Sequence, residues 1–109
     1  MKQTIKFEVE LDANHLPLNI VMEANDGFTN EKNIKALMIS AWAAQTRETL
    51  RIDLWTKDLP VNDMFIMFHQ TMMSMSSSLE KATGNTQLAG ALRDYCEFFV
   101  KETKIKAKG

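Results

Sequence analysis

The sequence predicts an α+β domain, and three observations predict it. Residues 3–11 alternate between apolar and polar side chains, as a half-buried strand does, and residues 47–56 repeat that alternation. Two later segments, at about 61–82 and 86–103, instead carry apolar residues at helical spacing. The chain has 109 residues, which is a suitable length for one domain that packs strands and helices around one core.

The first two strands are predicted to form an antiparallel hairpin. A polar loop over residues 12–17 follows the first strand and ends in proline, which interrupts regular structure. The second strand then begins, with Ile20 and Met22 facing inward. Residues 25–27 (Asn-Asp-Gly) are residue types typical of a turn and end this strand.

The segment after this turn is predicted to be a helix, from about residue 30 to 44. Thr29 or Asn30 is a suitable N-cap, and Glu31 in the first turn would face the positive end of the helix dipole. Apolar residues then recur at helical spacing, namely Ile34, Leu37, Met38, Ala41 and Trp42.

Two further helices complete the prediction. Pro60 suits the start of the second helix, and Gly84 suits its C-terminal cap. Asn85 or Thr86 then begins the third helix. The second helix carries one continuous apolar stripe, which we expect to lie in the core: Val61, Met64, Phe65, Phe68, Met72, Met75 and Leu79.

The predicted order is β-β-α-β-α-α, with a three-stranded sheet and helices on one face, which makes a two-layer sandwich. Pairing of the third strand with the first or with the second is compatible with the pattern. Residues 1–103 are predicted to form this single domain. Residues 104–109 form a basic tail, which is expected to be a flexible, solvated terminus or else an electrostatic foot for an anionic surface.

Composition excludes several classes of function. The formal net charge is −1, so no basic surface is expected to attract nucleic acid. Cys96 is the only cysteine, so no intrachain disulfide is expected. The first residues have no apolar signal core, and no apolar run is long enough to span a bilayer. A cytoplasmic protein without membrane insertion is therefore expected.

Neither catalysis nor a cofactor is indicated. The four glycines lack the spacing of a phosphate-binding loop. One cysteine and two histidines are too few for a cysteine-histidine zinc site, and no calcium-loop spacing is present. His69 lies five residues before Ser74, so the two are off one helical face and do not form a nucleophile and base. Cys96 is interpreted as a core residue.

Two apolar features point to intermolecular contacts. Ile66 and Met73 lie off the stripe of the second helix, on a face that the third helix, a second protomer or a partner must cover. A homodimer through these two residues is one hypothesis. Trp55 falls on the polar side of the third strand beside Arg51 and Asp53, which predicts either an interface residue or a tryptophan covered by the loop at 57–58.

The strand and loop over residues 48–61 read Glu-Thr-Leu-Arg-Ile-Asp-Leu-Trp-Thr-Lys-Asp-Leu-Pro-Val. This run resembles the central signature of the GldC family of gliding motility-associated proteins of Bacteroidetes. The similarity continues through Phe68-His69-Gln70-Thr71 and through Arg93-Asp94-Tyr95-Cys96. Ile5, Phe7 and Val9 match the family's first strand more loosely.

The resemblance implies a cytoplasmic, non-catalytic accessory or adaptor protein of the gliding machinery, which is tied to the cell envelope and to secretion. Its partners would be proteins of that machinery. The polar or exposed residues of the matching motifs are proposed as the partner surface: Arg51, Asp53, Trp55, Lys57, Asp58, His69 and Gln70. Two alternatives stay open, a chaperone-like module that shields an envelope or secreted client, and a small-ligand-binding domain or minor enzyme.

Overall fold

The computed structural model describes residues 1–27 and 30–105. Within them, five strands precede two helices: β1 (Ile5–Leu11), β2 (Pro17–Ala24), β3 (Asn30–Ile34), β4 (Ala36–Ala43), β5 (Glu48–Trp55), α1 (Val61–Thr83) and α2 (Thr86–Thr103). The chain divides into a strand unit, Met1–Leu59, and a helical unit, Pro60–Gly109. The predicted α+β class is confirmed.

Strands β1, β2 and β3 form one antiparallel sheet with β2 in the centre. Ile20 of β2 lies opposite Val9 on one side and Ile34 on the other. Its side chain is fully buried, and Met22 is half-buried. The predicted first hairpin and the inward direction of Ile20 are therefore confirmed, whereas Val21 is half-buried as well, so the inward direction of Met22 stays a prediction.

Strands β4 and β5 form a separate two-stranded antiparallel sheet, which we call the ribbon. Its register places Leu37 opposite Leu54 and Ile39 opposite Ile52. The pairing extends one step beyond the strands, because the Thr56 N–H donates to the Lys35 carbonyl at 2.9 Å. Lys35 is thus the single residue between β3 and β4.

The helix predicted from about 30 to 44 is wrong, because this segment forms β3 and β4. Apolar residues at positions 37, 39 and 41 share one side of a strand, and pairing with β5 uses that alternation. The helical spacing of Ile34, Leu37 and Met38 is therefore coincidental, and cross-strand pairing decides the structure. Asn30 begins a strand, and Thr29 lies outside the described residues.

This correction changes the topology. The order β-β-α-β-α-α is wrong, since the described chain has the order β-β-β-β-β-α-α. The strand predicted at 47–56 is β5, and it pairs with β4, which was not foreseen as a strand, and not with either of the first two strands. The single domain over 1–103 and the two-layer arrangement stay predictions. Residues 106–109 of the predicted tail lie outside the described residues.

Helix α1 begins and ends, and helix α2 begins, where the capping residues predict. Pro60 is the N-cap of α1, and Gly84 ends the helix with a left-handed φ of 72° while its N–H donates to the Glu80 carbonyl. The Asn85 side chain caps α2 by accepting a hydrogen bond of 2.9 Å from the Leu88 N–H. Neither helix is long and apolar enough to cross a membrane.

The two helices pack against each other through a small apolar seam. The rings of Phe65 and Phe99 meet edge to face, with centroids 5.9 Å apart. Ala89 and Cys96 are buried, and burial raises the pKa of the Cys96 thiol. The interpretation of Cys96 as a core residue is confirmed by this burial. A raised pKa also makes the thiol a weaker nucleophile.

Candidate functional site

The ribbon exposes apolar side chains on one of its faces. The residues that share this face are Leu37, Ile39, Ala41, Leu50, Ile52 and Leu54. Leu50 is 58% exposed and Ile52 is 50% exposed. A two-stranded ribbon is at most marginally stable in water by itself, and contiguous exposed apolar side chains of this kind usually mark a contact surface.

The opposite face of the ribbon, which we call the mixed face, carries two tryptophans around a charged centre. Its members are Ala36, Met38, Ser40, Trp42, Thr49, Arg51, Asp53 and Trp55. Trp42 pairs with Thr49 near the loop end, and Trp55 pairs with Ala36 at the other end. Trp55 is 56% exposed, so the loop at 57–58 does not cover it.

Arg51 is held in place by hydrogen bonds to two neighbours on the mixed face. Its guanidinium donates to the Ser40 hydroxyl across the ribbon and to the Asp53 carboxylate, at 2.6 Å, along the strand. Exposed ion pairs contribute little to stability, so the main effect is to orient the guanidinium. A second cation, the Arg47 guanidinium, lies 5.8 Å from the centroid of the Trp42 ring.

Lys57 and Asp58 make contacts within the strand unit. The Lys57 ammonium lies 2.9 Å from the Asp12 carboxylate in the β1–β2 turn. The Asp58 carboxylate accepts a hydrogen bond of 2.5 Å from the Thr56 hydroxyl, which lowers the pKa of Asp58, and Lys35 adds a weaker attraction at 3.6 Å. The Lys57–Asp12 contact joins the end of β5 to the first hairpin, and a binding role for either Lys57 or Asp58 stays a prediction.

The Asp12 carboxylate organises that turn. It accepts hydrogen bonds from the backbone N–H of Leu16 at 3.0 Å and of Asn14 at 2.7 Å, in addition to the contact with Lys57. The Leu16 bond first, and then Lys57, hold the pKa of Asp12 below its ordinary 3.8. Because the folded pKa is lowered, the carboxylate's contribution to stability is present above that ordinary value and is lost as pH falls through the folded pKa.

We therefore expect Asp12→Asn to destabilise the chain at neutral pH, and the difference from the wild type to shrink on acidification. Urea unfolding midpoints of both proteins at pH 7 and at about pH 3 measure this. Glu10→Gln, an exposed carboxylate on β1, is the control and should change neither midpoint appreciably. If the unfolding midpoints of wild type and Asp12→Asn differ by the same amount at both pH values, the stabilising role of the ionised Asp12 carboxylate is contradicted.

The remaining predicted site residues lie in the helical unit. His69 is half-buried on α1, and Gln70 beside it is exposed. Of the predicted self-association pair, Ile66 is half-buried and Met73 is 39% exposed. The partner surface predicted from the sequence is thus divided between the two units, with Arg51, Asp53 and Trp55 brought together on the mixed face.

The helical unit contains a groove between α1 and α2. Its volume is about 450 Å³, and its lining residues are His69, Met73, Arg93, Cys96, Glu97, Val100 and Lys101. The groove thus combines apolar walls with charged groups of both signs.

The apolar stripe of α1, which was expected to be in the core, is exposed in part, since Val61, Phe68 and Met75 are each more than one-third accessible.

Two serines of α1 form hydrogen bonds within their own helix. The buried Ser76 hydroxyl donates to the Met73 carbonyl at 2.6 Å, and Ser77 approaches the same oxygen at 3.5 Å. This is the back-bonding that serine adopts within helices. Among the described residues, no three histidine, cysteine or acidic side chains are grouped as a metal ion would require.

Trp42 is the mixed-face residue that sequence reasoning missed. It was assigned to the inner stripe of a helix, whereas the structure leaves it 60% exposed on β4. The signal was present in the sequence, because Met38, Ser40 and Trp42 alternate with Leu37, Ile39 and Ala41 at a period of two.

Comparison with known proteins places the chain in a family. No curated protein and no solved structure matches it. A family model described as gliding motility-associated protein GldC-like matches residues 17–105, which run from the start of β2 to beyond α2 and include every predicted site residue. This chain belongs to the GldC-like family of gliding motility-associated proteins.

Proposed function

We propose that this chain is a non-catalytic accessory protein of the gliding motility machinery, and that it acts in the cytoplasm by binding other proteins through the mixed face. Family membership supports the link to gliding. The observation that carries the binding role is the pair of exposed tryptophans, Trp42 and Trp55, on either side of Arg51 and Asp53.

The chemistry of this face suits a protein partner. Tryptophan and arginine are the residue types most enriched at binding hot spots, and each tryptophan can bury about 150–250 Å². Arg51 is already oriented by Ser40 and Asp53, so less conformational freedom is lost when a partner binds. We therefore expect the partner to present an acidic or hydrogen-bond-accepting group to Arg51, and apolar surface on either side of that group to Trp42 and Trp55.

The helical groove supports a second candidate function. A chaperone-like module would hold an apolar segment of an envelope or secreted client, and Met73 and Val100 offer apolar walls for it. The charged rim, with Arg93, Glu97 and Lys101, would instead suit a small amphipathic ligand. Loss of partner capture on changing Met73, with the mixed face intact, would favour this candidate.

Recovery of partners from native cells tests the proposal. A tagged chain is isolated after mild cross-linking beside three variants: Trp55→Ala, Arg51→Glu and, as a charge-reversal control on exposed α1 surface, Lys81→Glu. Wild type and Lys81→Glu are expected to recover the same defined motility or envelope proteins. Because loss of a hot-spot residue costs about 2 kcal/mol or more, the affinity of the other two for a partner should fall by about thirtyfold or more, and their recovery of it should fall strongly.

One result of this experiment would contradict binding through the mixed face. If folded Arg51→Glu and Trp55→Ala retain every partner that the wild type recovers, the mixed face is not the contact surface. Circular dichroism of each purified variant confirms that the fold is intact before recovery is compared.

A further inference from the structure

Strand β5 has one free edge. It pairs with β4 on one side, and no strand of the described chain pairs with the other side. Hydrogen-bonded and non-hydrogen-bonded pairs alternate along an antiparallel ladder. Thr56 and Lys35 form a hydrogen-bonded pair, so every second residue of β5 before Thr56 also directs its backbone N–H and C=O groups toward β4. The backbone groups of Leu50, Ile52 and Leu54 point toward β4, and those of the alternate residues point outward.

The outward groups are those of Thr49, Arg51, Asp53 and Trp55. A strand edge of this kind is a template for another strand. Proteins commonly block such edges with charged side chains, above all lysine, or with proline. Strand β5 contains no lysine or proline, and its charges at Arg51 and Asp53 are of opposite sign, so they can pair with those of a second copy. The edge is thus open to pairing.

The sequence of β5 is complementary to itself. Residues 50–54 read Leu-Arg-Ile-Asp-Leu. When two copies run antiparallel about Ile52, Leu50 meets Leu54, Arg51 meets Asp53, and Ile52 meets the same residue of the second copy. Each arginine then lies opposite an aspartate, which is a favourable cross-strand pair.

The backbone fits the same register. Arg51 and Asp53 have outward N–H and C=O groups, so each would form a hydrogen-bonded pair with its counterpart in the second copy. Ile52 then forms the non-hydrogen-bonded pair, in which side chains approach most closely. The register that places Arg51 opposite Asp53 is therefore also the register in which the outward backbone groups of the two copies can form hydrogen bonds.

We propose that two copies of this chain pair antiparallel along β5, with a two-fold axis at Ile52. The product is a four-stranded sheet in the order β4-β5-β5-β4. This pairing turns a marginal two-stranded ribbon into a sheet with the width that independent stability requires. It also joins the exposed Leu50 and Ile52 side chains of both copies into one apolar face.

Strand β4 does not offer the same self-recognition. Its residues, Ala36–Ala43, include no charged side chain that would fix a register. The proposed dimer also differs from the one predicted through Ile66 and Met73, and it does not depend on the proposed binding of motility proteins. It leaves both mixed faces on the sheet surface, and Trp55→Ala, which changes neither Arg51 nor Asp53, tests partner binding with the charge pair of the dimer intact.

Sedimentation velocity of the purified full chain tests the proposal with a charge-swap design. Arg51→Asp places aspartate opposite aspartate in its own homodimer, and Asp53→Arg places arginine opposite arginine. Each variant alone is expected to raise the dimer dissociation constant by at least about tenfold. An equimolar mixture pairs opposite charges at every position, so a heterodimer should re-form with a dissociation constant close to that of the wild type.

Met73→Glu is the matched control and should leave the dimer intact, since it adds a charge on the other predicted surface. A wild-type chain that sediments as a monomer at every accessible concentration would overturn the proposal. So would a dimer that neither charge swap weakens, a mixture that fails to restore it, or a dimer lost in Met73→Glu. Circular dichroism of each variant separates loss of pairing from loss of folding.

Discussion

Replacing Ile20 by alanine is expected to lower the free energy of unfolding by about 2–5 kcal/mol. Ile20 is fully buried and lies at the centre of the three-stranded sheet, between Val9 and Ile34. Its removal forfeits the transfer free energy of three buried carbon groups and leaves a cavity that neighbouring strands fill only partly. The total stability of a small domain is about 5–15 kcal/mol, so a loss of this size is a large fraction of it.

Leu18→Ala is the matched control, because Leu18 lies two residues earlier on the same strand and is 47% exposed. It should change the free energy of unfolding by less than about 1 kcal/mol. Urea unfolding followed by circular dichroism measures both variants. Equal losses for the two substitutions would contradict the placement of Ile20 in the core.

Replacing Phe99 by alanine is expected to have the second-largest effect, a loss of about 3 kcal/mol. Phe99 packs edge to face on Phe65, and this contact joins α2 to α1 beside the buried Cys96. We expect the lower part of the range for phenylalanine truncation, because Phe99 is half-buried and not fully enclosed.

Phe98 provides the comparison for this helix. It is adjacent in sequence and identical in type, but it is 54% exposed. Phe98→Ala should cost less than about 1 kcal/mol, although it has a tilted contact with Tyr95 at a centroid distance of 5.9 Å. Thermal or urea unfolding measures the free energy of unfolding of both variants. A larger loss of stability for Phe98→Ala than for Phe99→Ala would contradict the orientation of α2 in which Phe99 faces α1.

The helices and three of the strands are predictable from local sequence signals. Pro60, Gly84 and Asn85 fix the helix ends by backbone chemistry that depends on no distant contact. The alternation in β1, β2 and β5 is equally local. By contrast, β3 has a single apolar residue, Ile34, and β4 carries apolar residues compatible with both periods, so pairing with β2 and with β5 decides their structure.

The candidate site was predictable in the same uneven way. The placement of Arg51, Asp53 and Trp55 on one side of a strand follows from alternation and is confirmed, whereas their role in binding stays a prediction. Trp42 joins them only once β4 is recognised as a strand. The self-complementary order of residues 50–54 is visible in the sequence, but it acquires meaning only when the structure shows the edge of β5 to be free.

The central claim is that the mixed face contacts another protein in the cell, and photo-crosslinking from position 42 tests it most directly. Trp42 lies on β4, away from the edge proposed to pair two copies, so a crosslink from it reports a partner and not the dimer. A photoreactive residue at this position should yield defined crosslinks to motility or envelope proteins, and one at Lys81 should not. Crosslinks to such proteins from position 81 alone, or from neither position, would contradict the claim.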